Sequence, residues 1–412
     1  MWMYSGFAGG IQPWWHHVGA YQWDRRQFKT ALPVYRWHEK NEEYLLHRRP
    51  VATVGVVYSQ QNADFFGRDD ARELVAAPYY GWIQALVRAR IPYLPVHADH
   101  IERDGPSLAA LILPNLGAMT EAQVGAVRRY AASGGSLIAS GETSFHNEWG
   151  DARERPALAE LFGVRPTGNR YGSLGPVAGW SGDDHTYLRL SPPVGRDVYG
   201  PESGEEPVTS KPRHDVLSGF EETDIIAFGG LLVEVEAAGG TTVPLTLVPN
   251  FPVYPPETSW MRQPRTDIAA LVLREDGASR RAWLAADLDR RFFRDLLPDH
   301  GRLLANIVRW AARGDVPLRV KGRGLIDCHL YRQEGRLILH LVNLTSAGTW
   351  RSPVHELIPV GPFTVSVRLP EGMSAGGVRL LVAGKDRPAA RRGRWAVFEV
   401  ERILDHEVAV IG

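Results

Sequence analysis

Continuous apolar runs alternate with helical patterns between residues 51 and 141. The run Val51–Tyr58 is apolar and rich in β-branched residues, which is typical of a strand buried on both faces. The same reasoning predicts further strands at 93–96, 108–113 and 136–141, and helices at 71–90 and from Thr120 onward. Strands that alternate with helices in this way predict an α/β fold with a doubly wound parallel sheet.

The pattern changes after this segment. Residues 165–212 carry many glycine, proline and aspartate residues, which indicates an irregular, β-rich insertion. The sheet is expected to resume at 224–228 and 271–273, to end at 281–286, and to be closed by a helix at 303–312. From residue 318 onward, short alternating strands predict a small β-sandwich. The predicted domains are therefore 1–50, 51–317 and 318–412.

Composition and charge exclude several classes of protein. The chain of 412 residues has 47 basic and 47 acidic side chains, and this balance argues against a nucleic-acid binder. One cysteine excludes a disulfide framework and a cysteine-based zinc cluster. No apolar run reaches the ~18 residues that a membrane span needs, and no basic residue precedes a hydrophobic core at the amino terminus. We therefore expect a cytoplasmic protein without a membrane partner, a bound metal or a cofactor.

The predicted sheet domain offers little chemistry. No glycine-rich dinucleotide motif, phosphate-binding loop or G-x-S-x-G elbow occurs. The single cysteine, Cys328, lies within a predicted strand and is expected to be a small buried residue. Glu142 and His146 follow the fourth strand and are a weak candidate for an acid/base pair, because no nucleophile accompanies them.

Three aspartates and one histidine also gather near the last predicted strand and helix, at Asp287, Asp289, Asp299 and His300. The last two are expected to cap the helix and to bind loop amides. The sheet domain is therefore predicted to have no catalytic activity.

Aromatic residues are concentrated at the beginning of the chain. Five of the 13 tryptophans fall in the first 37 residues. The segment Gly9–His17 is expected to be a strand end that opens into a loop, followed by a helix at 25–47. Tryptophan and histidine in a loop suit sugar binding, because flat rings stack on the apolar face of a pyranose. Alternatively, these rings pack against another part of the same protein.

The order of these segments resembles the carboxyl-terminal half of barrel-type glycoside hydrolases. It is most similar to the β-galactosidases of glycoside hydrolase family 42 and the group called hypothetical glycosyl hydrolase 6. The resemblance is carried by the stretches Gly10–Arg26, Val51–Glu142, Asp224–Gly230 and Trp283–Trp310. It implies a remnant of a (β/α)8 barrel, then a flavodoxin-like or amidotransferase-like β-galactosidase trimerisation domain without its cysteine, then a β-sandwich. It also implies a carbohydrate partner and a homo-oligomer, a trimer in that family.

The sequence departs from this family at the barrel. A barrel takes ~250 residues, but 50 residues precede the first sheet strand, enough for the last strand, loop and helix. Retaining glycosidases need two carboxylates ~5–5.5 Å apart on different strands, and Asp24 is the one acidic residue in this loop. By resemblance, the rim of a sugar site would be lined by Trp14, Trp15, His16, His17 and Asp24.

Two functions follow from this resemblance. The first is the non-barrel portion of a β-galactosidase-like glycoside hydrolase, inactive alone, whose missing barrel is an upstream segment or a separate chain. The second is a non-catalytic protein for oligomerisation and carbohydrate binding. An active amidotransferase or protease would need a nucleophile that the sequence does not provide. Because the helix at 25–47 carries an apolar stripe, the chain is expected to self-associate.

Overall fold

The computed structural model describes residues 2–12, 14, 23, 25–174, 185–194, 212–345 and 356–412. The chain divides into two compact units. The first, unit 1, contains Met1–Ala52, Arg90–Pro92 and Val316–Gly412. The second, unit 2, contains Thr53–Ala89 and Tyr93–Asp315. Unit 1 is therefore built from both ends of the chain.

The described residues form helices and strands in both units. The α-helices are α1 Trp2–Ala8, α2 Arg26–Lys40, α3 Ala77–Ala89, α4 Ile101–Asp104, α5 Glu121–Ala132, α6 Ala159–Phe162, α7 Leu288–Asp295 and α8 Pro298–Ala311. The strands of unit 2 are β2 Val54–Tyr58, β3 Tyr93–His97, β4 Ala110–Leu113, β5 Ser136–Ser140, β6 Val164–Tyr171, β7 Tyr187–Leu190, β8 Ile225–Ala227, β9 Leu232–Ala237, β10 Thr242–Val248, β11 Ala269–Asp276 and β12 Ser279–Leu284. The strands of unit 1 are β1 Arg49–Pro50, β13 Leu318–Lys321, β14 Ile326–Gln333, β15 Arg336–Asn343, β16 Phe363–Arg368, β17 Gly377–Leu380, β18 Lys385–Pro388, β19 Ala390–Arg392, β20 Trp395–Val400 and β21 His406–Ile411. In the described part of the chain, no helix is both long and apolar enough to cross a bilayer.

Unit 2 is organised around a sheet of nine strands in the order β3-β2-β4-β5-β12-β11-β10-β7-β8. The five strands from β3 to β12 run parallel, and β4 and β5 are buried along their whole length. This part agrees with the predicted parallel sheet, because strands covered on both faces are continuously apolar.

The other four strands are antiparallel, so the sheet is mixed and not wholly parallel as predicted. The switch occurs at the hairpin between β11 and β12, where Gly277 has a φ of +57°. A tight hairpin can join only antiparallel strands. The predicted insertion at 165–212 also contributes to this sheet through β7, while β6 pairs with β9 in a separate two-stranded sheet.

The helix predicted at 71–90 begins later than expected. Its α-helical part, α3, starts at Ala77, and two π-helical turns, Asn62–Gly67 and Arg72–Ala76, precede it. Pro78 accounts for this start, because proline lacks a backbone N–H and fits the first turn of an α-helix but not its interior. Helix α5 begins at Glu121 and is capped by Thr120 as predicted, because the side chains of Thr120 and Gln123 form a capping box.

Unit 1 contains a six-stranded sheet, β1-β14-β15-β21-β17-β18, and a four-stranded sheet, β13-β16-β20-β19. Alternate residues of β15, such as Leu339 and Leu341, share one apolar core with Phe363 and Phe398 of the other sheet. This packing agrees with the predicted sandwich. The opposite face of the six-stranded sheet, at Ile338, is also covered by apolar side chains.

That opposite face packs against the beginning of the chain. Trp37 and Tyr44 contact the cluster of Tyr331, Ile338 and Val408. The residues before the aromatic loop form helix α1 and a turn at Gly9–Gly10, where a strand end was expected. The apolar residues of α2 differ in burial: Ala31 is buried, whereas Phe28 and Leu32 are half-exposed. No closed barrel occurs among the described residues.

Candidate functional site

The strand order of unit 2 creates a crevice at one edge of the sheet. Strand β2 lies between β3 and β4, so the chain moves to one side of β2 first and to the other side afterwards. In open α/β sheets, ligands bind outside the carboxyl ends of the strands at such a topological switch point. A cavity of about 500 Å³ lies there, next to Val57, Pro95 and Pro114. We call it the switch-point pocket.

Three tyrosines line the switch-point pocket. The ring of Tyr79 lies 6.2 Å from that of Tyr58 and 5.5 Å from that of Tyr80, each pair edge to face. Tyr58 and Tyr80 are half-exposed. Burial, together with the neighbouring Tyr80 and Tyr58, raises the pKa of Tyr79 to about 12, so its hydroxyl stays protonated at neutral pH.

The polar residues of the switch-point pocket have two different roles. Asn62 is buried, and its side chain donates to the carbonyl of Asn115 at 3.2 Å and accepts from the amide of Ala118 at 2.8 Å. It therefore fixes the β2–α3 connection to the end of β4. Arg72 is exposed, and it is the one charged side chain among the described residues that line the pocket.

A buried cluster of charged residues lies at the carboxyl ends of β5 and β12. Asp289 accepts hydrogen bonds from the Ser140 hydroxyl at 2.5 Å, the Trp82 indole at 2.9 Å and the Arg290 amide at 2.9 Å. The Arg290 guanidinium pairs with Asp287 at 2.5 Å, and Asp287 also accepts from the amide of Leu231 at 2.9 Å.

These two carboxyl groups are enclosed by protein. Burial raises the pKa of Asp287 to about 7, although the charge of Arg290 opposes the shift. Burial also raises the pKa of Asp289, against its hydrogen bonds from Ser140 and Arg290. The adjoining cavity measures only about 20 Å³, roughly the space for one water molecule. The arrangement holds the start of α7 against the sheet and leaves no room for a substrate.

The sequence-predicted sugar-binding residues are only partly described. Trp14 is 74% exposed. Trp15, His16, His17 and Asp24 lie outside the described residues.

Glu142 and His146 make their described contacts with other residues. Glu142 pairs with Arg170 at 2.9 Å, and burial lowers the pKa of His146, whose ring lies beside that of Phe66. No hydrogen bond joins Glu142 to His146 among the described residues. Cys328 is buried in β14 and burial raises the pKa of its thiol, which confirms the prediction of a structural cysteine.

The predicted helix cap at Asp299 and His300 is wrong. Helix α8 begins at Pro298, and the residue before it, Leu297, provides no side-chain cap. Asp299 lies in the first turn, where a negative charge suits the helix dipole. His300 is fully buried and its ring contacts the carbonyl of Ala227 at 2.7 Å, so it joins two elements of unit 2.

Sequence reasoning missed the tyrosines and Arg72 of the switch-point pocket. The periodicity of residues 71–90 predicts one regular helix, whereas Arg72 lies in a π-helical turn, which directs its side chain differently. A signal was nevertheless available, because Tyr58 ends the first predicted strand and the switch-point rule directs attention there. In the described ranges, no three or more histidine, cysteine or acidic side chains are arranged to hold a metal ion.

Neither a known protein-family profile nor a curated protein matches this sequence. Solved structures do match the fold. α-L-Fucosidase isoenzyme 2 from Paenibacillus thiaminolyticus matches with a TM-score of 0.72 and 16% identity over 99% of this chain and 56% of that chain. A β-galactosidase from Bacillus circulans sp. alkalophilus matches with a TM-score of 0.59 and 13% identity over 94% of this chain and 45% of that chain.

A third structure, Gan42B, a GH42 β-galactosidase from G. stearothermophilus, matches with a TM-score of 0.57 and 16% identity over 95% of this chain and 44% of that chain. This chain therefore spans about half the length of the structures that it matches. At these identities the likeness concerns the fold alone. The chain shares the fold of a large portion of several glycoside hydrolases.

Proposed function

We propose that this chain is the non-barrel portion of a glycoside hydrolase of the β-galactosidase-like type, and that it acts in carbohydrate hydrolysis. The observation that carries this proposal is the fold likeness to an α-L-fucosidase over 99% of the chain, which takes in the first 50 residues. Residues 1–50 then correspond to the end of a catalytic barrel, 51–317 to an amidotransferase-like trimerisation domain, and 318–412 to the terminal sandwich.

The catalytic carboxylates are proposed to lie in a barrel segment outside these 412 residues. Hydrolysis with retention needs two carboxyl groups ~5–5.5 Å apart at the ends of different barrel strands. The loop with Trp14, Trp15, His16, His17 and Asp24 would then form one side of the sugar site. The 95% exposure of Trp23, in the same loop, supports this role, because an exposed ring can stack on a sugar.

Chromogenic substrates test this function. The purified 412-residue chain and the native product, captured from its source cells with an antibody to the sandwich, are each assayed with nitrophenyl β-galactoside and nitrophenyl α-L-fucoside. We expect turnover by the native product and none by the isolated chain. A native product that hydrolyses neither substrate would overturn the proposal in favour of the second function below. Turnover by the isolated chain would show that its own residues supply the acids.

The second function is non-catalytic oligomerisation combined with carbohydrate binding. It is favoured by Phe28 and Leu32, which are half-exposed and lie four positions apart on one face of α2. A face of this kind suits contact with a second copy of the chain. The family 42 β-galactosidases, which the sequence resembles, form trimers. Sedimentation of the wild type and of a Phe28→Glu, Leu32→Glu double variant tests it. We expect the wild type to associate and the variant to be monomeric, and a monomeric wild type would contradict self-association.

A further inference from the structure

The switch-point pocket has the size and the backbone of a binding site. Its volume of about 500 Å³ falls within the usual range of ~300–1,000 Å³ for small-molecule pockets. The two π-helical turns, Asn62–Gly67 and Arg72–Ala76, lie in the connection that forms its wall. Such turns are rare and occur frequently at functional sites. The first turn of the regular helix α3 then adds Tyr79 and Tyr80 to the lining.

The aromatic lining suits a ring with an apolar face. The ring of Phe293 packs against that of Tyr80, with 5.8 Å between the ring centres. The ring of His97 packs against that of Tyr58, with 5.1 Å between the ring centres. These contacts limit the orientations of both rings before a ligand arrives, which lowers the entropic cost of binding. None of the hydroxyls of Tyr58, Tyr79 and Tyr80 forms a hydrogen bond with a described residue. Each is therefore available to a hydroxylated ligand.

The charge of the switch-point pocket selects an anion. Arg72 is the one charged residue in the described lining, and no described residue forms a hydrogen bond or an ion pair with it. No aspartate or glutamate belongs to that lining. A guanidinium matches a carboxylate with two parallel hydrogen bonds, and three tyrosine rings line the same cavity.

We infer that the switch-point pocket binds a sugar acid, a single pyranose ring that carries one carboxylate. Arg72 receives the carboxylate, Tyr58 and Tyr80 contact the ring, and the tyrosine hydroxyls bind the sugar hydroxyls. The carbohydrate class rests on the proposed function, whereas the anionic group and the ring rest on the lining of the pocket itself. The site lies in unit 2 and uses none of the residues of the predicted aromatic loop.

Calorimetric titration of the full 412-residue chain tests this inference. The probes are D-galacturonate, D-galactose and D-galactose 6-phosphate. We expect D-galacturonate to bind with an affinity about tenfold or more above that of D-galactose, because the neutral sugar leaves Arg72 without a partner. Equal binding of the two sugars, binding of the phosphate ester alone, or binding of none would each overturn the inference.

Variants then locate the site. Arg72→Gln is expected to weaken D-galacturonate binding about tenfold and to leave D-galactose unchanged, while Tyr80→Ala weakens both. Arg391→Gln removes an exposed arginine from unit 1 and serves as the control. Because Arg72 and Tyr80 are exposed, thermal unfolding should show that these variants remain folded. Unchanged D-galacturonate binding by Arg72→Gln would place the ligand elsewhere.

The two proposals fail separately. If D-galacturonate does not bind but the native product hydrolyses a chromogenic glycoside, only the sugar-acid site is wrong. If D-galacturonate binds through Arg72 but the native product hydrolyses neither glycoside, the sugar-acid site stands without the hydrolase function.

Discussion

The hydroxyl of Tyr331 donates a hydrogen bond of 2.5 Å to the backbone carbonyl of Ala8, which precedes it by 323 positions. The same tyrosine ring lies 4.2 Å below the guanidinium of Arg48, and that guanidinium also binds the carbonyl of Phe7. Both contacts join the beginning of the chain to strand β14 within unit 1. The amino-terminal segment is therefore stabilised by the terminal sandwich.

Tyr331→Phe tests this contact. The variant keeps the ring beneath Arg48 but leaves the buried Ala8 carbonyl without its donor, so we expect a loss of about 1–2 kcal/mol of local stability. Hydrogen exchange of peptides from α1 should become faster. Tyr254→Phe changes an 80% exposed tyrosine and should leave the exchange unaltered. Unchanged exchange of α1 in Tyr331→Phe would contradict this anchoring role.

Gly81→Ala tests the close packing of α3 against α7. A Cβ at Gly81 would lie 1.9 Å from the backbone oxygen of Asp289, which neither helix can accommodate without moving. Alanine favours a helix by about 1 kcal/mol, but overpacking of this severity should outweigh that gain and lower the free energy of unfolding by about 3 kcal/mol. Urea unfolding measures the change.

Gly125→Ala provides the matched control for this substitution. Gly125 also lies within a helix, but the nearest atom to its new Cβ is the flexible end of Arg129, at 3.2 Å. This variant should therefore be more stable than the wild type, by up to about 1 kcal/mol. If both glycine variants shift the urea midpoint in the same direction, the explanation by close approach is wrong.

The carboxyl group of Asp287 gives unit 2 a pH dependence. Its pKa rises from an ordinary 3.8 to about 7 on folding, so the folded state binds the proton more tightly. Its contribution to stability is complete below pH 3.8 and is lost as the pH rises through 7, by up to about 4 kcal/mol. Asp287→Asn cannot titrate, so it should become more stable relative to the wild type as the pH increases from 4 to 7.

The protein is unfolded in urea at pH 4 and at pH 7, and hydrogen exchange of peptides that contain β12 is followed by mass spectrometry. The difference between the urea midpoints of the two proteins measures the effect at each pH. Asp70→Asn removes an exposed carboxyl group of the same unit and should follow the wild type. A wild type that gains stability over Asp287→Asn as the pH rises would indicate that the ion pair with Arg290 dominates.

His340 gives unit 1 a pH dependence of the opposite sign. Burial, and then the charge of Arg48, hold the pKa of His340 well below its usual 6.5. Below pH 6.5 the unfolded chain binds a proton at this histidine and the folded chain does not, so stability is lost as the pH falls below 6.5. The guanidinium of Arg48 is hydrogen-bonded to the Nε2 atom of His340. His340→Gln keeps an acceptor for Arg48 but cannot titrate, and it should flatten this dependence.

The measurement is the urea midpoint of unfolding at pH 5 and pH 7.5, followed by hydrogen exchange of peptides that contain β15. His47→Asn is the control, because His47 is exposed and its φ of +51° is one that asparagine tolerates. Equal acid sensitivity of the wild type and His340→Gln would assign the effect to another group.

Local sequence patterns were sufficient for the elements whose burial is uniform. Strands such as β4 and β5 are covered on both faces, so they are continuously apolar in the sequence. The antiparallel half of the main sheet was not predicted, because an apolar run carries no information about the direction of its neighbour. The π-helical turns before α3 were missed for a similar reason, since their composition resembles that of an ordinary helix.

The candidate sites depend on contacts between distant residues. The buried carboxylate of Asp289 accepts a hydrogen bond from the hydroxyl of Ser140, which lies 149 positions away in the sequence. No periodicity of the sequence reveals that pairing. The position of the switch-point pocket follows from the strand order, which the alternation of elements partly indicates. Which side chains line it depends on the path of the β2–α3 connection. Arg72 could therefore be identified only from the structure.

The composition of unit 1 has a consequence for synthesis on the ribosome. When residue 315 has been added, every described strand of unit 2 has been made, whereas β1 is the one described strand of unit 1 and still lacks its neighbour β14. The rings of Tyr4 and Trp37 contact each other, but His406, against which both also pack, lies in the last strand and is made near the end of synthesis. The packing of this segment on the six-stranded sheet is therefore complete only when β21 has been made, and a stop codon before β21 would remove His406 from these two rings.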